Sequence, residues 1–162
     1  MPSPLDQLGG FGAGAANALI ARATRAGAPA VLKVSAVLTL TTAQINALNT
    51  TPIELLAAPG AGIINIPILF CLHNNCSVSH SGTIGPRLRY AGVATDLIAM
   101  GASLGFNENR MYGSLCGTSG VLTFPSPITN CQNKAIQVSA ATGASGGTST
   151  ATLQLYYLQT TL

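Results

Sequence analysis

The stretch TSTATLQLYYLQT, Thr148 to Thr160, decides the fold class. Ala151, Leu153, Leu155 and Tyr157 fall on one side of an extended chain. Thr150, Thr152, Gln154 and Tyr156 fall on the other, which is the period of two of a half-buried strand. Upstream, NKAIQVSAAT from Asn133 to Thr142 alternates in the same way, with Ile136, Val138 and Ala140 inward and Gln137 and Ser139 outward. Between them GASGG supplies glycines, which take positive φ without a Cβ clash. The two stretches are therefore expected to form a C-terminal β-hairpin running through the middle of an all-β domain.

Working outward from that pair, Val31 to Leu40 reads as one strand, with Leu32, Val34, Ala36, Leu38 and Leu40 on one face and Lys33, Ser35 and Thr39 on the other. Thr41 and Gln44 have capping-box spacing, so a turn or two of helix is expected to follow. Thr51 to Ala58 is a strand with Pro52 at its start, where a missing N–H is tolerated. A PGAG turn leads to a further strand, Ile63 to Leu72, in which Pro67 signals an edge or a bulge. Asn74 to Ser81 reads as a polar loop. GPRLRYAG is a strand with Arg87 and Arg89 facing away from the core. Ala94 to Met100 fits either helix or strand. Asn107 to Arg110 reads as a loop, Met111 to Leu115 and Val121 to Phe124 as short strands, and PSPITN, 125 to 130, as an extended connection. Together these make about eight strands at the spacing of a β-sandwich or barrel, occupying one domain from 31 to 162.

Residues 1 to 30, MPSPLDQLGGFGAGAANALIARATRAGAPA, are set apart by composition. Glycines at 9, 10, 12 and 14 oppose helix, whereas Ala15 to Ala26 contains good helix formers with Leu19, Ala23 and Ala26 on one side. An extended arm with a short helical turn is expected, ending at a hinge made by Gly27 and Pro29. Glycine and alanine with Phe11 are also the composition of fusion-peptide-like segments. The apolar run is too short and too rich in glycine to cross a bilayer, which takes about 20 predominantly apolar residues.

Charge separates this chain from an ordinary soluble domain. Only 7% of its residues are charged, against about a quarter normally, and so neutral a surface offers little electrostatic repulsion to association. That points to a protein of an assembly, the other reading being a neutral, hydroxyl-rich extracellular surface. The seven basic residues are scattered beyond the pairs Arg22/Arg25 and Arg87/Arg89, and tryptophan is absent. A nucleic-acid binder concentrates its cations and interleaves them with stacking aromatics, so none is expected as a partner.

Chemistry-bearing residues are sparse. Asp6, Glu54, Asp96 and Glu108 stand isolated, and no G-x-S-x-G, phosphate-loop or dinucleotide motif occurs. Enzymatic activity is not expected, nor is a cofactor. The sharpest constellation is Cys71, His73, Cys76 and His80, ligand types that zinc prefers. Their spacing matches no zinc finger or knuckle, however, and Cys71 sits in an apolar strand where a thiol packs as a small hydrophobe, so a metal site is not the expected reading. Asp6 stands where a secretory leader has basic residues. Synthesis in a reducing compartment is expected, with Cys71, Cys76, Cys116 and Cys131 mainly as buried thiols, although spacing leaves a Cys116–Cys131 disulfide open.

Two pieces of the chain, LTLTTAQINALNTTPIELLAAPGAGIINI (38 to 66) and NKAIQVSAATGASGGTSTATLQLYY (133 to 157), resemble a group of small structural proteins of tailed bacteriophages, the capsid decoration or cement proteins. The shared features are a Leu-Thr-x-x-Gln-Ile-x-x-Leu stretch leading to a Thr-Pro strand and a Pro-Gly-Ala-Gly turn, then an Asn-Lys-Ala strand and a Gly-Gly-x-Ser/Thr connection. The resemblance implies a jelly-roll-like β-sandwich, assembled as a homotrimer on the head and bridging subunits of the major capsid protein. It also implies residence in the virion after synthesis in the host bacterial cytoplasm. The resemblance does not extend to residues 1–30; from its residues alone the arm is expected to lie in a groove of a neighbouring capsid protein through Phe11, Leu19, Ile20, Arg22 and Arg25, and composition leaves neither nucleic acid nor membrane as an expected partner. The alternative is a carbohydrate- or receptor-binding module of a head or tail fibre, for which Tyr90, Tyr112, Tyr156 and Tyr157 would have to supply the aromatic platform.

Overall fold

The structure, a computed structural model, describes residues 31–82, 84–100, 109–115 and 128–161. Among these the strands are β1 (Val31–Val34), β2 (Leu38–Leu40), β3 (Ile53–Leu56), β4 (Ile63–Val78), β5 (Pro86–Tyr90), β6 (Asp96–Ala99), β7 (Asn109–Leu115), β8 (Ile136–Ala140) and β9 (Thr148–Thr161). One short helix, α1 (Thr42–Ala47), and a 3-10 turn, Ile128–Cys131, complete the described elements. The helix starts as the spacing predicts: the Thr41 hydroxyl accepts the Gln44 N–H, and the Gln44 side chain accepts the Thr41 N–H at 2.9 Å.

All pairings are antiparallel and fall into two sheets. The first runs β1/β2–β9–β4–β7 and the second β3–β8–β5–β6. Because β1 and β2 pair with successive parts of β9, they count as one interrupted strand, giving eight among the described residues. From β2 onward every connection except β5–β6 changes sheet, so the chain winds as a two-layer jelly roll. Leu40, Phe70, Leu72, Leu153, Leu155 and Tyr157 of the first sheet meet Leu88, Tyr90, Ile98, Ile136 and Val138 of the second in one continuous core. Ile45 and Leu48 close one end of it. Among the described residues the buried cluster runs from Leu40 to Tyr157, with Leu38 packed against it.

Four expectations are corrected. First, β8 and β9 do not form a hairpin: β8 lies between β3 and β5, and β9 between β1/β2 and β4. Both strands have a full inward apolar face, and placing them in opposite layers sets those faces against each other. Only β4, with 16 residues, matches the 14-residue length of β9. Second, β4 does not end at Leu72 but continues to Val78, with Asn74 and Cys76 inward and Asn75 and Ser77 outward, so polarity hid an intact alternation. Third, β7 begins at Asn109, inside the expected loop, and Ile128–Cys131 turns where an extended run was expected. Val121–Phe124 lies outside the described residues.

The fourth correction matters most for the surface. Val31 to Leu40 is broken between Val34 and Leu38: Val34 pairs with Tyr156, but Leu38 pairs with Leu153, four residues against three. One extra residue flips every side chain beyond it to the other face. The Ser35 hydroxyl accepts the Leu155 N–H at 3.0 Å, and the Ser35 N–H donates to the Leu155 carbonyl at 2.8 Å, so the bulge keeps its hydrogen bonds. Leu38 and Leu40 therefore enter the core side while Leu32 and Val34 share the outer face with Tyr156 and Leu158.

Pro67 sits at a similar irregularity. The β4–β9 register shifts between Pro67 and Leu69, and β7 joins β4 only from Leu69 on, so the missing N–H falls where β4 has a single strand neighbour. Ala94 to Met100 resolves as strand, Asp96–Ala99.

Candidate functional site

Strand parity disperses the Cys/His quartet. Cys71 and His73 point outward in register with Gln154 and Thr152, whereas Cys76 points inward and its thiol donates to the Val78 carbonyl at 3.2 Å. His80 lies beyond the end of β4. Among the described residues no three His, Cys, Asp or Glu side chains gather where they could hold a metal ion. Burial pushes the Cys71 and Cys131 thiols up, which disfavours the thiolate that would act as ligand or nucleophile. Cys131 is a free thiol inside the core; Cys116 lies outside the described residues.

His80 instead organises a buried polar clamp at one end of the sandwich. Its Nδ1 stands 2.7 Å from Asn46 Oδ1 and its Nε2 2.5 Å from Ser149 Oγ. Asn46 donates through Nδ2 to the Gly146 carbonyl at 3.1 Å, which leaves Oδ1 as the acceptor. The imidazole is then the Nδ1–H tautomer, accepting the Ser149 hydroxyl at Nε2. The Thr42 hydroxyl donates to the Ser149 carbonyl at 2.7 Å and accepts the Ser149 N–H at 3.0 Å. Gly147 is required here: its φ is +71°, and a Cβ would lie 2.5 Å from the His80 ring.

A serine, a histidine and an amide in line resemble a nucleophile relay. Yet Ser149 and His80 are only 3% and 7% exposed, and burial lowers the His80 pKa. With no substrate access, the arrangement ties α1, the β4–β5 connection and the start of β9 together.

A second feature is an open depression of about 520 Å³ lined by Gly92, Val93, Ala94, Thr129, Asn130 and Lys134. Lys134 is its one charged lining residue, and the lining offers no acid, base or nucleophile pair.

The outer faces of the two sheets differ most in chemistry. On the second sheet, Glu54, Gln137, Arg89 and Asp96 form one row across all four strands. Arg87 pairs with Asp96 at 2.9 Å, and Arg89 donates to Ser139 Oγ through Nε at 2.9 Å and Nη2 at 2.6 Å. On the first sheet, Leu32 and Leu158 stand in register with Ile66, which packs against the core, Val34, Tyr156 and Leu69 make the next row, then Gln154, Cys71 and Gly113, and Thr39, Thr152, His73 and Met111. These rows contain no Asp, Glu, Lys or Arg. Val34 is 49% and Met111 73% exposed.

The aromatic platform of the alternative reading does not assemble. Tyr90 and Tyr157 are buried in the core, Tyr112 packs against it, and Tyr156 is half-buried on the outer face of the first sheet. Phe11, Leu19, Ile20, Arg22 and Arg25 all lie outside the described residues. Sequence reading missed Val34 and Met111 as outward apolar groups. Val34 escaped because the bulge at residues 35–37 leaves no mark in the alternation, and Met111 because nothing fixes the phase of an edge strand seven residues long.

No model of a known protein family matches this chain, and no curated protein matches it. Among solved structures, the fold is similar to a chain of the cyanophage Pam1 capsid asymmetric unit, with a TM-score of 0.51 and 14% identity over 83% of this chain and 86% of that one. A chain in the capsid of Ralstonia phage GP4 aligns with a TM-score of 0.39 and 17% identity over 81% of this chain and 83% of that one.

Proposed function

We propose that this protein is a non-enzymatic structural component of a phage virion, of the capsid decoration or cement kind. The observation that carries the reading is the fold similarity to a chain of the Pam1 capsid unit, which extends over more than four-fifths of both chains. The jelly-roll strand order, an architecture that recurs in viral capsid domains, supports it. So does an outer sheet face without charges, since association of such a face with a neighbour strands no ion in a dry contact.

In the particle, copies of the domain associate through apolar and hydroxyl-rich faces, a trimer being the expected assembly, and bridge subunits of the major capsid protein. Residues 1–30 supply a further contact, with Phe11, Leu19 and Ile20 as anchors and Arg22 and Arg25 as the charges. A segment that orders on docking binds weakly per unit area, and many copies on one shell compensate by avidity.

The test is quantitative mass spectrometry of purified particles of the phage that encodes the chain, followed by heating with and without it. The protein is expected in stoichiometric amounts, and particles lacking it should release DNA at lower temperature. Its absence from intact particles, or an unchanged release temperature, would remove the decoration reading. Deleting residues 1–30 is expected to leave a folded domain that no longer binds particles.

A further inference from the structure

The polar clamp at the end of the sandwich fits one protonation state of its histidine. His80 is 7% exposed and uses both ring nitrogens: Nδ1–H donates to Asn46 Oδ1, and Nε2 accepts the Ser149 hydroxyl. A proton added to Nε2 would point at the hydroxyl hydrogen. Ser149 Oγ can turn to accept it only by withdrawing that hydrogen from its present acceptor.

The added charge would also lack a counterion. Among the described residues packed around the ring, α1 reads TAQINA, the segment 79–82 SHSG, the stretch 141–149 ATGASGGTS and β2 LTL, none with Asp, Glu, Lys or Arg. The end of β4 adds NNCSV, whose ionisable group is the Cys76 thiol, in register with Ser149 and bonded to the Val78 carbonyl. Acid leaves a thiol uncharged, and His73 points to the opposite face of β4. Asn46 occupies the position from which a carboxylate would favour an imidazolium, and an amide oxygen carries no charge to do so.

What the ring holds is chiefly polar. The segments 79–82 and 141–147 meet at the Ser81–Ser145 bridge, through N–H to carbonyl bonds of 2.9 and 3.3 Å and a hydroxyl pair at 2.6 Å. Asn46 adds its bond to the Gly146 carbonyl. Gly147 lies so near the ring that a Cβ would come within 2.5 Å of it. Of the apolar side chains in 141–147 only Ala144 packs against the core, whereas Ile84, Ala140 and Ala151 on the flanks are buried in it. These two segments can part without unpacking the sheets.

We infer that the clamp is an acid-released latch: neutral His80 fastens the segments 79–82 and 141–147 to α1, and its protonation frees them while the two sheets stay packed. The latch is closed above the ordinary histidine value of 6.5 and opens as pH falls through the lower value of the buried ring. An open latch gives the ring water and releases the main-chain groups of Ser81, Ser145 and Gly146 at one end of the domain. The device belongs to the domain in solution and does not rest on the capsid reading.

Hydrogen exchange of the full chain, followed by peptide mass at about pH 7.5 and about pH 5 and corrected for the intrinsic rate at each, reads the opening. Protection of peptides covering 79–82 and 141–149 is expected to fall in acid at least about tenfold relative to peptides of β5 and β8, since a ring freed to water binds its proton about thirtyfold more favourably at the lower pH. His80→Gln is expected to show no such difference between the two conditions. Unchanged protection in acid, a loss shared equally by β5 and β8, or the same response in His80→Gln would each overturn the latch. The second measurement needs no change at His80. The chain has two histidines, so nitrogen NMR of the imidazoles, assigned with His73→Gln, is expected to show His80 as the Nδ1–H tautomer titrating below 6.5. An Nε2–H tautomer, or a midpoint at or above that value, also overturns it.

Discussion

The outer faces of the two sheets are built on the same alternation and come to opposite solutions. The second sheet presents a row of charges and amides, Glu54, Gln137, Arg89 and Asp96, in which Asp96 pairs with Arg87 and Arg89 donates to Ser139. Such a face is satisfied in water and costs free energy to dry out. The first sheet presents Leu32, Val34, Leu69, Tyr156 and Leu158 at one end and hydroxyls at the other, with no charged group in those rows. The two faces differ in what drying them out would cost: contact on the second sheet strands charges, whereas contact on those rows of the first strands none.

The sharpest way to break this contrast is Leu158→Ala. If Leu158 is buried as a covered residue, its truncation costs about 2–4 kcal/mol in denaturant unfolding; a loss below about 0.5 kcal/mol is the signature of an ordinary surface site and would make the two faces alike. Next in size is Gly147→Ala at the polar end of the first sheet. Positive φ and the close approach to the His80 ring together are expected to cost about 2 kcal/mol or more, read as a lowered melting temperature.

On the second sheet, Arg89→Met leaves the buried Ser139 hydroxyl without its donor and should cost about 1–2 kcal/mol. The double change with Ser139→Ala should recover part of that loss, because both polar partners are then gone. If it recovers nothing, the ladder is packing rather than hydrogen bonding.

Acid should act on the first sheet through the clamp. Burial holds the His80 pKa below its ordinary value of 6.5, so below that pH the unfolded chain binds a proton that the folded chain does not. Stability from this group is complete above pH 6.5 and declines as pH falls through it toward the folded value. His80→Gln should remove that part of the pH slope in urea titrations. The smallest effect is expected from Asp96→Asn: its pair with Arg87 is partly exposed, so the loss stays within about 1 kcal/mol and shrinks further in salt.

Much of the fold was legible because it is local. The alternation of β8 and β9, the capping box at Thr41 and Gln44, the outward Arg87 and Arg89 and the irregularity at Pro67 are each written in a few neighbouring residues, where period and backbone geometry suffice. Asn74 to Val78 was misread because polarity was taken for a loop, although burial alternates through it. The Cys/His quartet drew attention by composition, and only pairing revealed that Cys71 and Cys76 face opposite ways. His80, noted in the sequence only as one of four ligand-type residues, finds its partners Asn46 and Ser149 at separations of 34 and 69 residues, beyond any motif.

By itself the sequence determined an all-β sandwich of about eight strands, an apolar segment ahead of it, and a surface poor in charge, since periodicity and composition are properties of the chain alone. Tertiary structure decided which strands share a sheet, because β8 and β9 gain more by opposing their apolar faces across the core than by pairing side by side. It also decided which face Leu32 and Val34 occupy. One extra residue at the Ser35 bulge reverses their direction, and with a period of two nothing local can record that reversal.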